Sequence, residues 1–118
     1  MYDHVAIPVS DLERSRRFYE QALKSFDPKV AFESEGQVVF QLGSGNFFGL
    51  RTGQVAPVHV AFAGDRSEVH AFHEAAVAAG GEDNGTPGIR PELHEHYYAA
   101  FVKDPDGHNI EVVCHKPE

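Results

Sequence analysis

The chain is short of cysteine and of basic residues, and each shortage excludes a class of protein. It has one cysteine, Cys114, so it forms no internal disulfide, and we expect it to work in a reducing cytoplasm. Its 10 Lys and Arg are outnumbered by 18 Asp and Glu, which gives a net charge of −8. Binding to nucleic acid or to an acidic membrane needs the opposite balance, so neither is expected.

Long apolar runs are also missing. No stretch approaches the roughly 18 apolar residues that a membrane-spanning helix needs. The opening MYDHVAIPVSD has neither the basic start nor the apolar core of a signal peptide. The composition, with 42% hydrophobic and 24% charged residues, is that of an ordinary globular protein. The length predicts a single domain over residues 1–118.

The most informative pattern in the chain is a repeat. Residues 4–7 read HVAI and residues 59–62 read HVAF, and each run begins a predicted strand that precedes an amphipathic helix. Module one, about 1–53, is predicted to hold a strand at 3–9, a helix at 11–25 and strands at 29–34, 37–42 and 46–51. Module two, about 57–118, is predicted to hold a strand at 58–63, a helix at 66–79, a loop at 81–96 in which a short strand also fits, and strands at 97–103 and 109–114. The fold class is therefore α+β: two βαβββ modules that form a cup-shaped mixed sheet with the helices outside.

Three polar residues on the predicted strands are candidate metal ligands. Side chains alternate between the two faces of a strand, and His4, His59 and Glu111 each lie opposite the larger aliphatic residues of their strands. If those aliphatic residues pack under the helices, the three polar side chains point into the cup. Two imidazoles and one carboxylate bind a divalent metal and leave positions open for a substrate. We predict one divalent metal ion per site, and the ligand types suit Zn, Mn, Ni, Co or Fe(II).

The opening DHVAIPVSDLERSRRFYEQAL and the closing YYAAFVKDPDGHNIEVV resemble the vicinal oxygen chelate superfamily, which includes glyoxalase I, bleomycin resistance proteins, fosfomycin resistance enzymes and extradiol dioxygenases. The resemblance covers essentially the whole chain. In that superfamily the first and last strands of each module supply the metal ligands, which by position are His4, His59, Glu111 and, in module one, Phe48 or a residue near it. Phe48 cannot bind a metal, which departs from glyoxalase I. Phe101 stands where the dioxygenases and the fosfomycin enzymes tend to carry a tyrosine.

The resemblance implies an enzyme that chelates two adjacent oxygens of a small organic substrate. The metal would act as a Lewis acid in a lyase- or isomerase-type proton transfer, or, as Fe(II), in ring-cleaving dioxygenation. The alternative is a bleomycin-resistance-like protein that binds a drug or metabolite without catalysis. The retention of all three ligands favours the enzyme.

Other candidate site residues lie around the loop before the penultimate strand. His94 and His96 are candidate catalytic residues because histidine is the usual proton shuttle near neutral pH, although a solvated loop also explains them. Arg90 offers a planar fork for a substrate carboxylate or phosphate, although the sequence favours the alternative that it is a surface charge. Tyr97, Phe101 and Phe48 are candidate substrate-binding residues, with core packing as the alternative. The remaining histidines are assigned no role in the site: His70 and His73 on a helix surface, His108 in a solvent-facing turn and His115 in the tail.

The resemblance also implies a homodimer. In small two-module relatives the first module of one chain commonly pairs with the second module of the other, which would bring His4 to the partner's His59 and Glu111. Pairing of this kind also covers sheet edges that a small module leaves open. The linker at 53–57 is short, which favours exchange of modules between chains over closure within one chain.

Overall fold

A computed structural model describes residues 1–117. Module one contains strand β1 (His4–Val9), helix α1 (Leu12–Ala22), a 3₁₀ turn (Lys24–Phe26) and strands β2 (Pro28–Ser34), β3 (Gln37–Leu42) and β4 (Phe47–Thr52). Module two contains β5 (His59–Ala63), α2 (Arg66–Ala78), β6 (Glu82–Ile89), β7 (Tyr98–Lys103) and β8 (Asn109–Cys114). The predicted α+β repeat of βαβββ is confirmed. Neither α1 nor α2, the two α-helices of the described range, is long and apolar enough to cross a membrane.

The eight strands form two four-stranded mixed sheets with the same topology. The strand orders are β1-β4-β3-β2 and β5-β8-β7-β6. In each sheet the first and last strands of the module pair in parallel, and the other neighbours are antiparallel. Each first strand therefore lies at an edge of its sheet, beside the strand that ends its module. Because of this pairing, residues of β5 lie directly beside residues of β8.

Both helices begin at an aspartate that caps the exposed backbone amides. Asp11 accepts a hydrogen bond from the amide of Arg14, and Asp65 forms a reciprocal capping box with Glu68. Helix α1 ends at Ala22, earlier than the predicted residue 25, because the chain tightens into the 3₁₀ turn and Asp27 then takes a left-handed conformation with φ 52°.

The helices of the two modules share one hydrophobic core. Phe48 of β4 packs edge-on against Tyr19 of α1 and Phe62 of β5, with ring centroids 5.0 and 5.2 Å apart. These contacts bury the helix-facing sides of both sheets between the modules. The opposite face of module one stays exposed at β1, where His4 and Ala6 lie. In module two, His59 and Ala61 of β5 are exposed in the same way.

The turn between β7 and β8 joins module two to module one through polar contacts. The carboxylate of Asp104 is buried and accepts hydrogen bonds from the Tyr19 hydroxyl at 2.5 Å and from the amide of His108 at 2.9 Å. Burial, then the neighbouring Asp104 charge, raises the pKa of Tyr19 well above its usual range. Asp106 accepts from the amide and the hydroxyl of Ser10 at the start of module one.

The prediction that His108 faces solvent is wrong. Its ring is fully buried, with Nδ1 accepting a hydrogen bond from the amide of Val58 at 3.0 Å and Nε2 lying 2.7 Å from the carbonyl oxygen of Pro8. A carbonyl only accepts, so the ring is neutral with its proton on Nε2. His108 therefore bridges the end of β1 to the start of module two.

The segment that the sequence predicts as a loop contains an eight-residue strand, β6. Its pairing with β7 shifts register twice, on either side of Gly85. Pro87 is tolerated because β6 is an edge strand, where a missing amide costs no ladder bond. The glycines and proline that look like turn signals are here the bulges of an irregular edge.

Candidate functional site

His59 and Glu111 meet on neighbouring strands of module two. The parallel pairing of β5 and β8 places Ala61 opposite Glu111, and the His59 ring reaches back so that Nε2 lies 2.9 Å from Glu111 Oε1. Glu111 is 1% exposed, whereas the side chain of His59 is 49% exposed. A buried carboxylate is costly without a partner, so this contact has an energetic reason. The pair is open to solvent only from the histidine side.

Tyr97 is hydrogen-bonded to the second oxygen of the same carboxylate. Its hydroxyl donates a hydrogen bond to Glu111 Oε2. Burial, then the hydrogen bond to Glu111 and its charge, raises the pKa of Tyr97 to about 12. The sequence assigns Tyr97 to the wall of the substrate site. The structure places its hydroxyl on a candidate metal ligand, where it fixes the direction of the carboxylate.

The protons of this cluster follow from its hydrogen bonds. His59 Nδ1 lies 3.0 Å from the backbone oxygen of Asn109, and because a carbonyl only accepts, Nδ1 carries a proton. The other ring nitrogen, Nε2, lies 2.9 Å from Glu111 Oε1, within ion-pair distance. A cation bound between these two atoms would displace any proton held there, as metal binding to histidine and carboxylate ligands ordinarily does.

His4 is prepared in a similar way but stands apart from the pair. Its Nδ1 lies 2.9 Å from Asp3 Oδ1, and its side chain is 68% exposed. In both His4 and His59 the Nδ1 atom is hydrogen-bonded to an oxygen, as is usual for histidines that bind a metal through Nε2. Within residues 1–117 of one chain, no group of three or more His, Cys, Asp or Glu side chains is placed to hold a metal. One chain therefore brings together His59 and Glu111, without His4.

The register corrects the position assigned to Phe48. His4 pairs with Phe47 in module one as His59 pairs with Asn109 in module two, so the counterpart of Glu111 is Gly49. A one-residue shift along a strand moves a side chain to the opposite face. Phe48 accordingly faces the helices and is 1% exposed. Gly49 lacks a side chain, so module one supplies no ligand from its last strand.

Phe48 does line a cavity, although not at the His59–Glu111 pair. A space of about 390 Å³ lies between the modules, mostly walled by apolar side chains of β1, β4 and β5, with His4 among the residues that line it. Neither His59 nor Glu111 lines this space. The cavity therefore adjoins the module-one ligand.

The loop before β7 places the candidate proton-transfer residues beside Tyr97. The amide of Arg90 donates to the carbonyl of Tyr97 at 2.6 Å, which closes the loop. The ring of His115 lies 5.1 Å from Tyr97 and 5.8 Å from His94, and the rings of His94 and His96 are 6.2 Å apart. His115, set aside from the sequence as part of the tail, thus sits between Tyr97 and the two candidates.

Phe101 and Arg90 continue the site on the other side. The ring of Phe101 stacks on His59 with centroids 6.2 Å apart and planes at 24°. The guanidinium carbon of Arg90 lies 5.6 Å from the centre of the Phe101 ring. His59, Phe101 and Arg90 therefore form a continuous surface.

Two histidines of α2 have structural partners outside the site. His70 Nε2 lies 2.6 Å from the Tyr98 hydroxyl, and His73 Nε2 lies 2.9 Å from Asp83 Oδ1. The hydrogen bond from His73, then that from the Gly85 amide, lowers the pKa of Asp83. These contacts tie α2 to the sheet beneath it.

Comparison with known proteins gives one family. The family model described as Glyoxalase/Bleomycin resistance protein/Dioxygenase superfamily matches residues 2–112. A probable lactoylglutathione lyase of Vibrio parahaemolyticus is 30% identical, and the match covers 96% of this chain and 89% of the relative. The match therefore spans nearly the full length of both proteins.

Solved structures share the fold. A glyoxalase/bleomycin resistance protein from Albidiferax ferrireducens is 29% identical with a TM-score of 0.84, over 97% of this chain and 98% of that chain. A lactoylglutathione lyase from Agrobacterium tumefaciens is 20% identical with a TM-score of 0.74, over 97% and 92% of the two chains. At that lower identity the likeness concerns the fold alone.

Proposed function

The chain belongs to the glyoxalase/bleomycin resistance protein/dioxygenase superfamily, and on that premise we propose that it is a metal-dependent lyase acting on a small organic substrate with adjacent oxygens. The observation that carries the proposal is the pairing of an exposed histidine with a buried glutamate, His59 with Glu111, whose remaining hydrogen bonds are already made. The name of the Vibrio relative supports a lyase over a dioxygenase.

The proposed ligands are His59 and Glu111 of one chain and His4 of a partner chain. Both histidines offer Nε2 while Nδ1 is held by an oxygen, and the donor set suits a divalent ion such as Zn, Mn, Ni, Co or Fe(II). A bound ion of this kind supplies Lewis acidity toward the two substrate oxygens. Tyr97 holds Glu111 in place, and Phe101 covers one side of His59.

The placement of the three ligands supports sharing between subunits. His4 lies on β1 and His59 on β5, and each of these strands is at an open edge of its sheet. Two chains related by a two-fold axis can pair these edges and build two equal sites. We therefore propose a homodimer in which each cup joins module one of one chain to module two of the other.

Proton transfer is assigned to the loop of residues 90–97. Histidine is the usual proton shuttle near neutral pH, and the ring of His94 contacts that of His115, which in turn contacts Tyr97. In this proposal His94 or His96 acts as general base and acid.

The direct test is metal content. Protein purified without chelator and loaded with Co(II) should hold one ion per chain. Glu111→Gln and His59→Ala should each remove it, while His70→Ala, which changes an exposed histidine of α2, should retain it. Full stoichiometry in both site variants would refute the ligand assignment and would favour a drug- or metabolite-binding role without metal chemistry.

A further inference from the structure

A groove on β6 holds the side chain of Arg90. It exists because Gly85 and Gly88 lack side chains. A Cβ atom added at Gly88 would lie 2.9 Å from Arg90 Nη1, and one added at Gly85 would lie 3.2 Å from Arg90 Nη2. Both are closer than a normal contact, so the two glycines make room for the guanidinium. The sequence alone presents these glycines as turn residues.

The groove fixes the guanidinium while leaving most of its donors unused. Nη2 donates to the carbonyl oxygen of Thr86 at 2.8 Å, and the guanidinium carbon lies over the Phe101 ring, 5.6 Å from its centroid. Within residues 1–117, no carboxylate lies within ion-pair distance of Arg90. By contrast, Arg16 and Arg17 of α1 each pair with a glutamate. In a chain of net charge −8, Arg90 thus has a guanidinium held in place and facing no carboxylate of the described part of its own chain, and its planar fork of donors suits an anion.

Arg90 lies on the face of the sheet that carries the proposed metal ligands. Ala61, Glu111, Phe101 and Gly85 form one row across the four strands of module two, so they share a face. Phe101 separates His59 from Arg90 by one aromatic ring. A substrate whose reacting oxygens sit at the His59–Glu111 pair would therefore extend across Phe101 toward the guanidinium.

We propose that Arg90 binds an oxyanion at the far end of the substrate, so that the protein takes small organic acids or phosphate-type anions with a pair of adjacent oxygens about one ring away. The inference rests on the proposed function, because it assumes that the adjacent oxygens lie at the metal ligands. The planar fork accepts two oxygens of a carboxylate or phosphate at once, which gives both strength and direction.

Binding of matched chelating probes to the Co(II)-loaded dimer tests the inference. The probes are 4-methylcatechol, which is neutral, 3,4-dihydroxybenzoate, which adds a carboxylate, and 3,4-dihydroxyphenylphosphonate, which adds a phosphonate. All three present the same adjacent oxygens. Calorimetric titration should show at least one anionic probe binding about tenfold or more tightly than the neutral probe, as expected for hydrogen bonds to a charged group. The probe that gains distinguishes a carboxylate site from a phosphate site.

The variants separate Arg90 from the general charge of the protein. Arg90→Gln should abolish the advantage of the anionic probe, and Arg90→Lys should retain only part of it because the fork is lost. Gly88→Ala should reduce the advantage as well, since the added methyl displaces Nη1, the end of a flexible side chain. Arg17→Gln removes the same charge from the exposed part of α1 and should leave the advantage unchanged.

Metal content measured on the same samples distinguishes the two possible failures. Equal affinities for the neutral and anionic probes in fully loaded wild-type protein would overturn the inference about Arg90 while leaving the metal site standing. An anionic advantage that persists in Arg90→Gln would overturn it as well. Failure of the wild-type protein to load Co(II) would overturn the proposed function, and with it the inference that depends on it.

Discussion

Replacing Tyr97 by phenylalanine should weaken metal binding without removing any ligand. The substitution deletes one oxygen, the hydroxyl that donates to Glu111 Oε2, and leaves the ring against His115. Glu111 is 1% exposed, so the freed oxygen has little access to water. Leaving a buried acceptor of this kind unpaired costs about 1–3 kcal/mol. The carboxylate then loses the contact that fixes its direction toward His59.

Loss of such a supporting hydrogen bond typically lowers metal affinity by about 10–100-fold. The assay is a competition titration of Co(II) against a chelator of known affinity, with wild type and variant measured side by side. Tyr98→Phe is the matched control: the neighbouring tyrosine bonds to His70, outside the proposed site, and its hydroxyl lies 2.6 Å from that ring.

We expect the control to bind Co(II) like wild type. A Tyr97→Phe protein with unchanged affinity would show that Glu111 is held in place by other contacts, and the reasoning from this hydrogen bond would be refuted. An equal loss of Co(II) affinity in Tyr98→Phe would show that any disturbance of this part of β7 weakens the site. The role assigned to the Tyr97 hydroxyl would then also be refuted.

Three further predictions concern the modules, the titration of Tyr97 and the loop. Tyr19→Phe leaves an oxygen of the buried Asp104 without its donor, so urea denaturation should show a loss of about 1.5–3 kcal/mol, and no measurable loss would refute this account of the turn. Tyr97 has a pKa of about 12 in the folded protein against about 10 in an unfolded chain, so the folded state holds the hydroxyl proton more tightly. The resulting contribution to stability is complete below about pH 10 and is lost as the pH rises to about 12. The tyrosinate absorbance difference between wild type and Tyr97→Phe should rise near pH 12, and a midpoint near 10 would contradict it. Once a substrate is known, His94→Gln or His96→Gln should lower turnover at least about tenfold, and unchanged turnover in both would remove the loop from proton transfer.

Much of the fold follows from local sequence, because its elements are regular. The apolar alternation of β1 and β5 and the helical spacing of α1 and α2 define the two modules before any contact is known. This reasoning does not find strand β6, because its sequence is typical of a turn and not of a strand. Gly85, Pro87 and Gly88 are typical of turns, and only pairing with β7 makes the segment a strand.

The features that sequence reasoning misses all depend on contacts between distant segments. The counterpart of Glu111 in module one, given from the sequence as Phe48 or a residue near it, is Gly49, because the modules differ in loop length and only the β1–β4 register shows which residue faces the site. His108 lies in a sequence that favours an exposed turn, and packing of the turn against Pro8 buries it. The contact between Tyr97 and Glu111 depends on the path of a loop, which no periodicity specifies.

The measurement that tests the central claim most directly is metal binding by a mixed dimer. His4→Ala and Glu111→Gln proteins, each unable to bind Co(II), are given different affinity tags and mixed under conditions that exchange subunits. The heterodimer is then isolated through both tags. If His4 of one chain joins His59 and Glu111 of the other, one of the two sites is intact in every heterodimer. Co(II) content should then return to half of the wild-type value per chain. A heterodimer of proven composition that binds no Co(II) would contradict a shared site built from these three residues.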